Sequence, residues 1–337
     1  MDSRIATCIA AGLVLAASLC APFGAFAQEG GRGGAAQSQR IENPQSLAHT
    51  DAAKKLAGDD PQLGIVWKFF CTVRDNNQLG ADIEATKIFD NLYAIPSSSW
   101  QQTTTWAIST SEGIILLDSG EQGKTENVVA GLRKVGLDPA QVKYILLGHG
   151  HGDHYGGAAY FQEHYATRVG TTAADWDYMF PPDKPLKPND DRPRRDLVLK
   201  EGQPVTLGGE TINIIEIPGH TPGSVGFIFK VTENGQTHTV GMFGGTIMGT
   251  GRIPTDGLNQ YLRSVDHFLE TAKKMNVDVE IQNHAWFDDT PGRLARLKAR
   301  KPGEPNPFLM SIDKYTKFWG VVSECIRAEI SRRPDGK

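Results

Sequence analysis

The chain carries no excess of positive charge: 35 Lys and Arg stand against 39 Asp and Glu in 337 residues, a formal net charge of −4. With no basic stripe and no aromatic platform between cations, nucleic acid is not an expected partner, and a small molecule is. Long apolar runs are also missing, with one exception at Ile5 to Ala21. That run follows Arg4 and precedes Ala25-Phe26-Ala27, the pattern of a cleaved secretory signal over residues 1–27. A membrane span needs roughly 20 apolar residues, and Pro22 and Gly24 break the end of this one. A lipid anchor at Cys20 is disfavoured by bulky Leu19 where a small residue is expected. The sequence therefore predicts a periplasmic or secreted protein with no membrane attachment after cleavage.

Cysteine is scarce too. Of four, Cys8 and Cys20 fall in the signal, which leaves Cys71 and Cys325. An even number in an oxidising compartment makes them candidates for a disulfide between an N-terminal arm and the last helix. Two separate buried thiols are the alternative, because sequence alone does not bring two Cα atoms within bridging range.

Residues 28–50 form an expected disordered leader, most plainly over 28–46, where Gly, Gln, Ser and Ala prevail without apolar period. A single domain over 51–337 follows, with a short helix from His49 to Leu56 and an apolar segment from Ile65 to Val73 at its start. Strands are predicted at 87–89, 92–95, 103–108 and 113–118, separated by turn residues. A helix over Thr125 to Val135 leads to the strand Val142 to Leu147, and a second helix runs from Gly156 to Tyr165. Further strands are predicted at 204–207, 211–217, 225–231 and 238–243, then helices at about 257–275 and 308–331. In the last helix Ile312, Tyr315, Trp319, Val322, Ile326 and Ile330 make one apolar stripe, read as a core face. Two strand-rich halves with helices outside predict an α/β fold, a four-layer α/β/β/α sandwich with its site at one edge between the sheets.

What the chain does have is a dense polar run at the end of an apolar strand. His149-Gly150-His151-Gly152-Asp153-His154 holds three of the nine histidines and a carboxylate within six residues. Imidazole with carboxylate suits zinc, and a catalytic site keeps one coordination position open. Gly148, Gly150 and Gly152 are expected to let the backbone turn tightly there. His220, in Pro218-Gly219-His220-Thr221-Pro222-Gly223-Ser224, and His284, after Val277 to Ile281, also follow strands. Ligands delivered from several strand ends are what a rigid two-metal site requires. His49, His164, His238 and His267 have no such context. Trp100, Trp106 and Trp176 read as packing residues, of which one is a candidate to line the cleft.

The combination H-x-H-x-D-H, G-H-T-P-G-S and a late strand-end histidine resembles the metallo-β-lactamase superfamily from about residue 87 to 300. The finer resemblance is to subclass B3 β-lactamases. Most other hydrolases of the superfamily, including glyoxalase II and homoserine-lactone lactonases, carry a metal-bridging Asp after the strand that here ends Met242-Phe243. Thr246 stands at that position, and is implied to lie at the substrate. The resemblance implies one zinc on His149, His151 and His220, a second on Asp153, His154 and His284, and a hydroxide between them. Asp153 would orient that hydroxide toward a β-lactam amide. Two departures stand out: Gly148 replaces a common hydroxyl residue, and no Lys follows Thr246 closely, with Arg252 as a candidate substitute. A lactonase or thioesterase of the same superfamily, and a periplasmic metal-binding protein with little catalysis, are the alternative readings.

Overall fold

The computed structural model describes residues 41–72, 83–97, 103–186, 190–247 and 249–333, without the side chain of Arg252. The expected signal, residues 28–40 of the expected leader, and Trp100 lie outside the described residues. Helix α1 (Pro44–Ala57) begins behind Asn43, whose side chain accepts from Ser46 N while the Ser46 hydroxyl accepts from Asn43 N. This reciprocal cap, followed by Pro44, starts a helix where composition alone reads as leader. Residues 44–48, expected to be disordered, are thus helical, and the helix expected from His49 begins at Pro44. Helix α2 (Pro61–Cys71) begins behind Asp60, which accepts from Gln62 N and Leu63 N.

The first sheet is an antiparallel meander of β1 (Thr86–Phe89), β2 (Leu92–Pro96), β3 (Thr104–Thr110) and β4 (Gly113–Leu117). It continues through β5 (Val142–Leu146), β6 (Arg168–Thr171) and β7 (Leu197–Val198), which run parallel to β4. Parallel neighbours need crossovers. They are supplied by α3 (Thr125–Lys134), by α4 (Gly152–Tyr155) with α5 (Ala158–Tyr165), and by α6 (Ala173–Met179). The second sheet is a meander of β8 (Val205–Leu207), β9 (Glu210–Glu216), β10 (Val225–Glu233) and β11 (Gln236–Phe243). Helix α7 (Thr255–Lys274) then crosses to β12 (Val279–Ile281), which lies parallel to β11. Helices α8 (Thr290–Ala299) and α9 (Ile312–Ser331) complete the chain.

Strand alternation sorts the side chains into three apolar layers. On β3 Trp106 and Ile108 face the second sheet, where they meet Ile212, Ile214, Phe227 and Phe229. Ala107, between them, faces the opposite way with Ile114, Leu116 and Ile145, toward α3, α5 and α6. On the second sheet Ile215 and Ile228 turn outward to α7 and α9, into a layer with Phe268, Phe318 and Trp319. Each fully buried Leu, Ile or Phe contributes about 1.5–3 kcal/mol by removal from water. The layering is the expected α/β/β/α sandwich.

Short elements escaped the sequence reading. β6 and β7 have four and two residues, too few for a period to be read. α8 carries only Leu294 and Leu297 as large apolar residues, so its stripe is faint. The predicted helix from Gly156 to Tyr165 is α5, and the short α4 before it was not predicted.

Cys71 and Cys325 form a disulfide with Cα atoms 4.8 Å apart, joining α2 to α9 across 254 residues of chain. The bond settles the choice between a bridge and two thiols. Closing so long a loop restricts the unfolded chain, so Cys71→Ser with Cys325→Ser should lower the free energy of unfolding by about 2–4 kcal/mol. Urea titration of oxidised wild type against the double variant measures it. An unchanged midpoint would mean that packing of α2 on α9 holds the arm without the bond.

Candidate metal centre

The ends of five strands converge on one edge of the sandwich. β4 ends at Asp118, β5 leads into Gly148 to His154, β9 into His220, β11 into Gly244, and β12 into Asn283 and His284. The two sheets touch here through Gly148 and Gly244. A Cβ on Gly148 would lie 2.8 Å from Gly244 O, and one on Gly244 would lie 2.4 Å from Val225 O. That explains Gly148: the position has no room for a hydroxyl residue. The backbone bends over 148–151, though none of Gly148, Gly150 and Gly152 has positive φ. Close approach, not turning, requires glycine at Gly148.

His149 donates Nδ1–H to Gly244 O at 2.7 Å, because a carbonyl only accepts. Its Nε2 is therefore a lone pair, and it points at His220 Nε2, 3.1 Å away. His151 Nδ1 also lies 3.1 Å from His220 Nε2. One proton on that nitrogen cannot satisfy both neighbours. Burial, reinforced by the neighbouring imidazoles, pushes His149 and His220 well below the ordinary histidine range. His151 is lowered to about 4, with burial outweighing the opposing pull of Asp153. Three buried, neutral imidazoles presenting nitrogen to one point are a cation site, and their ligand atoms all lie within 4.8 Å of one another.

A second group lies beside the first. His154 Nδ1 donates to Asp118 Oδ2 at 2.8 Å, so Nε2 is the free face of the ring, buried and without a hydrogen-bond partner. Asp153 Oδ2 stands 3.4 Å from His154 Nε2 and 3.7 Å from His284 Nε2. Burial alone would raise the Asp153 pKa, but His154, His284 and His151 outweigh it and hold the carboxylate ionised. Burial likewise disfavours charge on His154, yet Asp153 and Asp118 lift it to about 10. His149, Asp153 and His154 also fall within 4.8 Å as a set, so His149 borders both groups. The structure thus brings all six expected ligands together. Imidazoles alone in the first group, and imidazoles with a carboxylate around the orphaned His154 Nε2 in the second, are donor sets that suit a borderline metal such as zinc.

Two buried carboxylates that sequence reasoning missed hold the donors in place. Asp118 accepts from Gly148 N at 2.7 Å, His154 Nδ1 at 2.8 Å and Asn283 Nδ2 at 3.1 Å. It does so from a left-handed backbone, φ 61°, a conformation Asp tolerates better than most residues. Asp175 on α6 accepts from Gly150 N, Thr221 Oγ1 and Gly223 N at 2.7–2.8 Å, fastening the His149–His154 loop to the His220 loop. Burial raises its pKa to about 6 against the lowering effect of those three donors. Tyr178, on the same helix, places its hydroxyl 3.0 Å from His151 Nε2. The only sequence signal for Asp118 was an acid closing an apolar strand; Asp175 had none.

Thr246, expected at the substrate, follows β11 with its side chain fully buried, and its hydroxyl donates to Gln282 Oε1 at 2.6 Å. Trp106 and Trp176 are also buried, donating to Gln282 O and Leu197 O. His49, His238 and His267 pair with Glu324, Asp278 and Glu201, and His164 stacks on Tyr160.

Asp175→Asn tests the loop clamp. Its amide NH2 would face a donor in every orientation, and each buried donor left unpaired costs about 1–3 kcal/mol. The metal-free variant should unfold at lower denaturant than wild type and should also bind zinc more weakly. Unchanged denaturation and zinc titration curves would remove Asp175 from the account.

Comparison with known proteins follows the same lines. Residues 98–232 match the sequence profile of the metallo-beta-lactamase superfamily. The hydroxyacylglutathione hydrolase GloC of Haemophilus influenzae is 28% identical over 144 residues, 41% of this chain and 66% of that protein. The chain spans 66%, 37% and 36% of the first three curated relatives it matches. Among solved structures it is similar to BJP-1, a subclass B3 metallo-beta-lactamase of Bradyrhizobium japonicum. The TM-score is 0.57 and the identity 24%, covering 72% of this chain and 91% of that one. A variant of the FEZ-1 metallo-beta-lactamase from Legionella gormanii gives a TM-score of 0.61 at 19% identity, covering 76% and 98%. The layered fold, the paired donor groups and the profile match agree: residues 98–232 match the metallo-beta-lactamase superfamily profile, in a chain with the metallo-beta-lactamase fold.

Proposed function

We propose that the chain is an exported zinc hydrolase of two metals that opens the amide of β-lactams, in the manner of subclass B3. The superfamily is hydrolytic, and the donor groups imply metal use. His149, His151 and His220 would hold one zinc, and Asp153, His154 and His284 the other. Bound there, zinc supplies Lewis acidity, which makes water nucleophilic near neutral pH and stabilises negative charge on a leaving atom. Asp153, the most exposed donor with 17% of its side chain accessible, accepts a hydrogen bond from the attacking water and aims it at the carbonyl carbon. Asp118 and Asp175 keep the imidazoles from reorienting as charge develops, so little reorganisation is left for the reaction itself. Residues 1–27 are proposed as the export signal, with the periplasm or exterior as destination.

The observation that carries the lactam reading is Thr246. With a neutral, buried threonine after β11, this position adds no carboxylate to the two donor groups. Fewer anionic donors leave a stronger Lewis acid, suited to an amide nitrogen, a poorer leaving group than a thiolate. Similarity to B3 enzymes over 91% and 98% of their length supports the same reading. A second reading, thioester hydrolysis, is favoured by the hydroxyacylglutathione hydrolases among the sequence relatives.

Zinc-loaded protein should hydrolyse carbapenems or cephalosporins with larger kcat/KM than glutathione thioesters or homoserine lactones, assayed side by side. Inertness to every β-lactam with fast thioester turnover would establish the second reading instead. Thr246→Asp would supply the carboxylate that this position lacks, weaken the Lewis acid, and should lower lactam kcat/KM by about 10²-fold, more than it lowers thioester kcat/KM. An equal loss on both substrates would sever Thr246 from substrate choice.

A further inference from the structure

His284 lies midway in a loop whose two ends meet on one buried cation. Arg293, on α8, is fully buried and its guanidinium stacks 4.3 Å from the centroid of Phe308. Its Nη1 donates to Glu280 Oε2 at 3.1 Å. Its Nη2 donates to Glu280 O at 2.8 Å and to Asp288 Oδ2 at 2.7 Å. Glu280 precedes His284 by four residues and Asp288 follows it by four, so one planar fork closes the loop around the ligand. Asp288 Oδ1 is occupied by Thr290 N and Thr290 Oγ1, and Asp288 O accepts from Gln62 Nε2 of α2. On the other side Gln282 Nε2 donates to Glu280 Oε1, and Gln282 Oε1 accepts from Thr246. The polar chain therefore runs unbroken from the strand end at β11, through β12, to α8.

A buried Arg with two carboxylates is costly to desolvate, and apolar residues of similar volume would often hold a core as well. What an apolar cluster cannot do is fix the two ends of a loop at a set distance and angle. A guanidinium does so, because its donors sit in a rigid plane. We propose that Arg293 is a positioning residue for the second metal: by clamping Glu280 to Asp288 it sets His284 against Asp153 and His154. This inference rests on the assignment of His284 to a second zinc.

The test is the stepwise zinc affinity of the full chain, by competition with a chromophoric chelator, together with denaturation of the metal-free protein. Arg293→Lys keeps the charge but loses the fork. Asp288→Asn keeps the fork but turns an NH2 group toward either Arg293 or Thr290, and it serves if Arg293→Lys does not fold. Either variant should weaken the second zinc by about 10–100-fold, the usual effect of losing a partner behind a metal ligand, and leave the first zinc unchanged. Val231→Ala, a core truncation between the sheets, should lower stability without altering either affinity, which separates positioning from general loosening. The inference is overturned if the folded variants hold the second zinc as wild type does, or if both zincs weaken in parallel. A wild type that takes up a single zinc overturns the two-metal assignment itself, a result distinct from either.

Discussion

The arrangement depends on a carboxylate that does not belong to either donor group. Asp118 binds Gly148 N, His154 Nδ1 and Asn283 Nδ2, and so joins the ends of β4, β5 and β12 at a single buried point. Without it, His154 has no fixed tautomer, and the common edge of the sheets keeps only ties such as His149 Nδ1 to Gly244 O and Val225 N to Gly148 O. The same logic governs His149, whose Nδ1–H is spent on Gly244 O. In each case a hydrogen bond on the far side of the ring fixes which nitrogen is turned toward the site.

Such a site works against its own stability. Five imidazoles are buried within a few ångströms, with nitrogen facing nitrogen, and burial resists charging most of them. The surrounding fold compensates. Three apolar layers and a tied pair of loops hold converging lone pairs that would otherwise turn apart. The conflict is local and belongs to function, which is where natural sequences depart from mutual consistency.

Much of this could be read from sequence, and for identifiable reasons. β3, β9 and β10 stand out as apolar runs bounded by turn residues, because one face of each meets the other sheet and the other meets helices, and the four-layer sandwich follows from their order. His149, His151, Asp153 and His154 are close in sequence, so their density announced them; His220 and His284 were marked by strand ends. Asp118, Asp175 and Arg293 were not legible, because each is a single residue whose meaning lies in partners far along the chain. Asp175 reaches Thr221 and Gly223, and Gly150 on the other side; nothing in its own neighbourhood, Ala173 to Met179, singles it out. Thr246 could be placed after β11 from sequence, but its partner could not, since only the fold brings Gln282 to its hydroxyl.

The disulfide between Cys71 and Cys325 has a consequence beyond stability. It makes a covalent ring of the chain that contains both sheets and every donor of the metal centre, with only the segments before α2's end and after the middle of α9 left as tails. A protease that cuts one surface loop inside the ring, such as the Asn234–Gly235 turn between β10 and β11, therefore leaves one molecule rather than two. The two pieces remain joined at α2 and α9, on the side of the sandwich away from the first sheet, and the strand ends that carry the histidines stay in register. One bond thus turns a cut that would part the molecule into a nick that leaves its halves together.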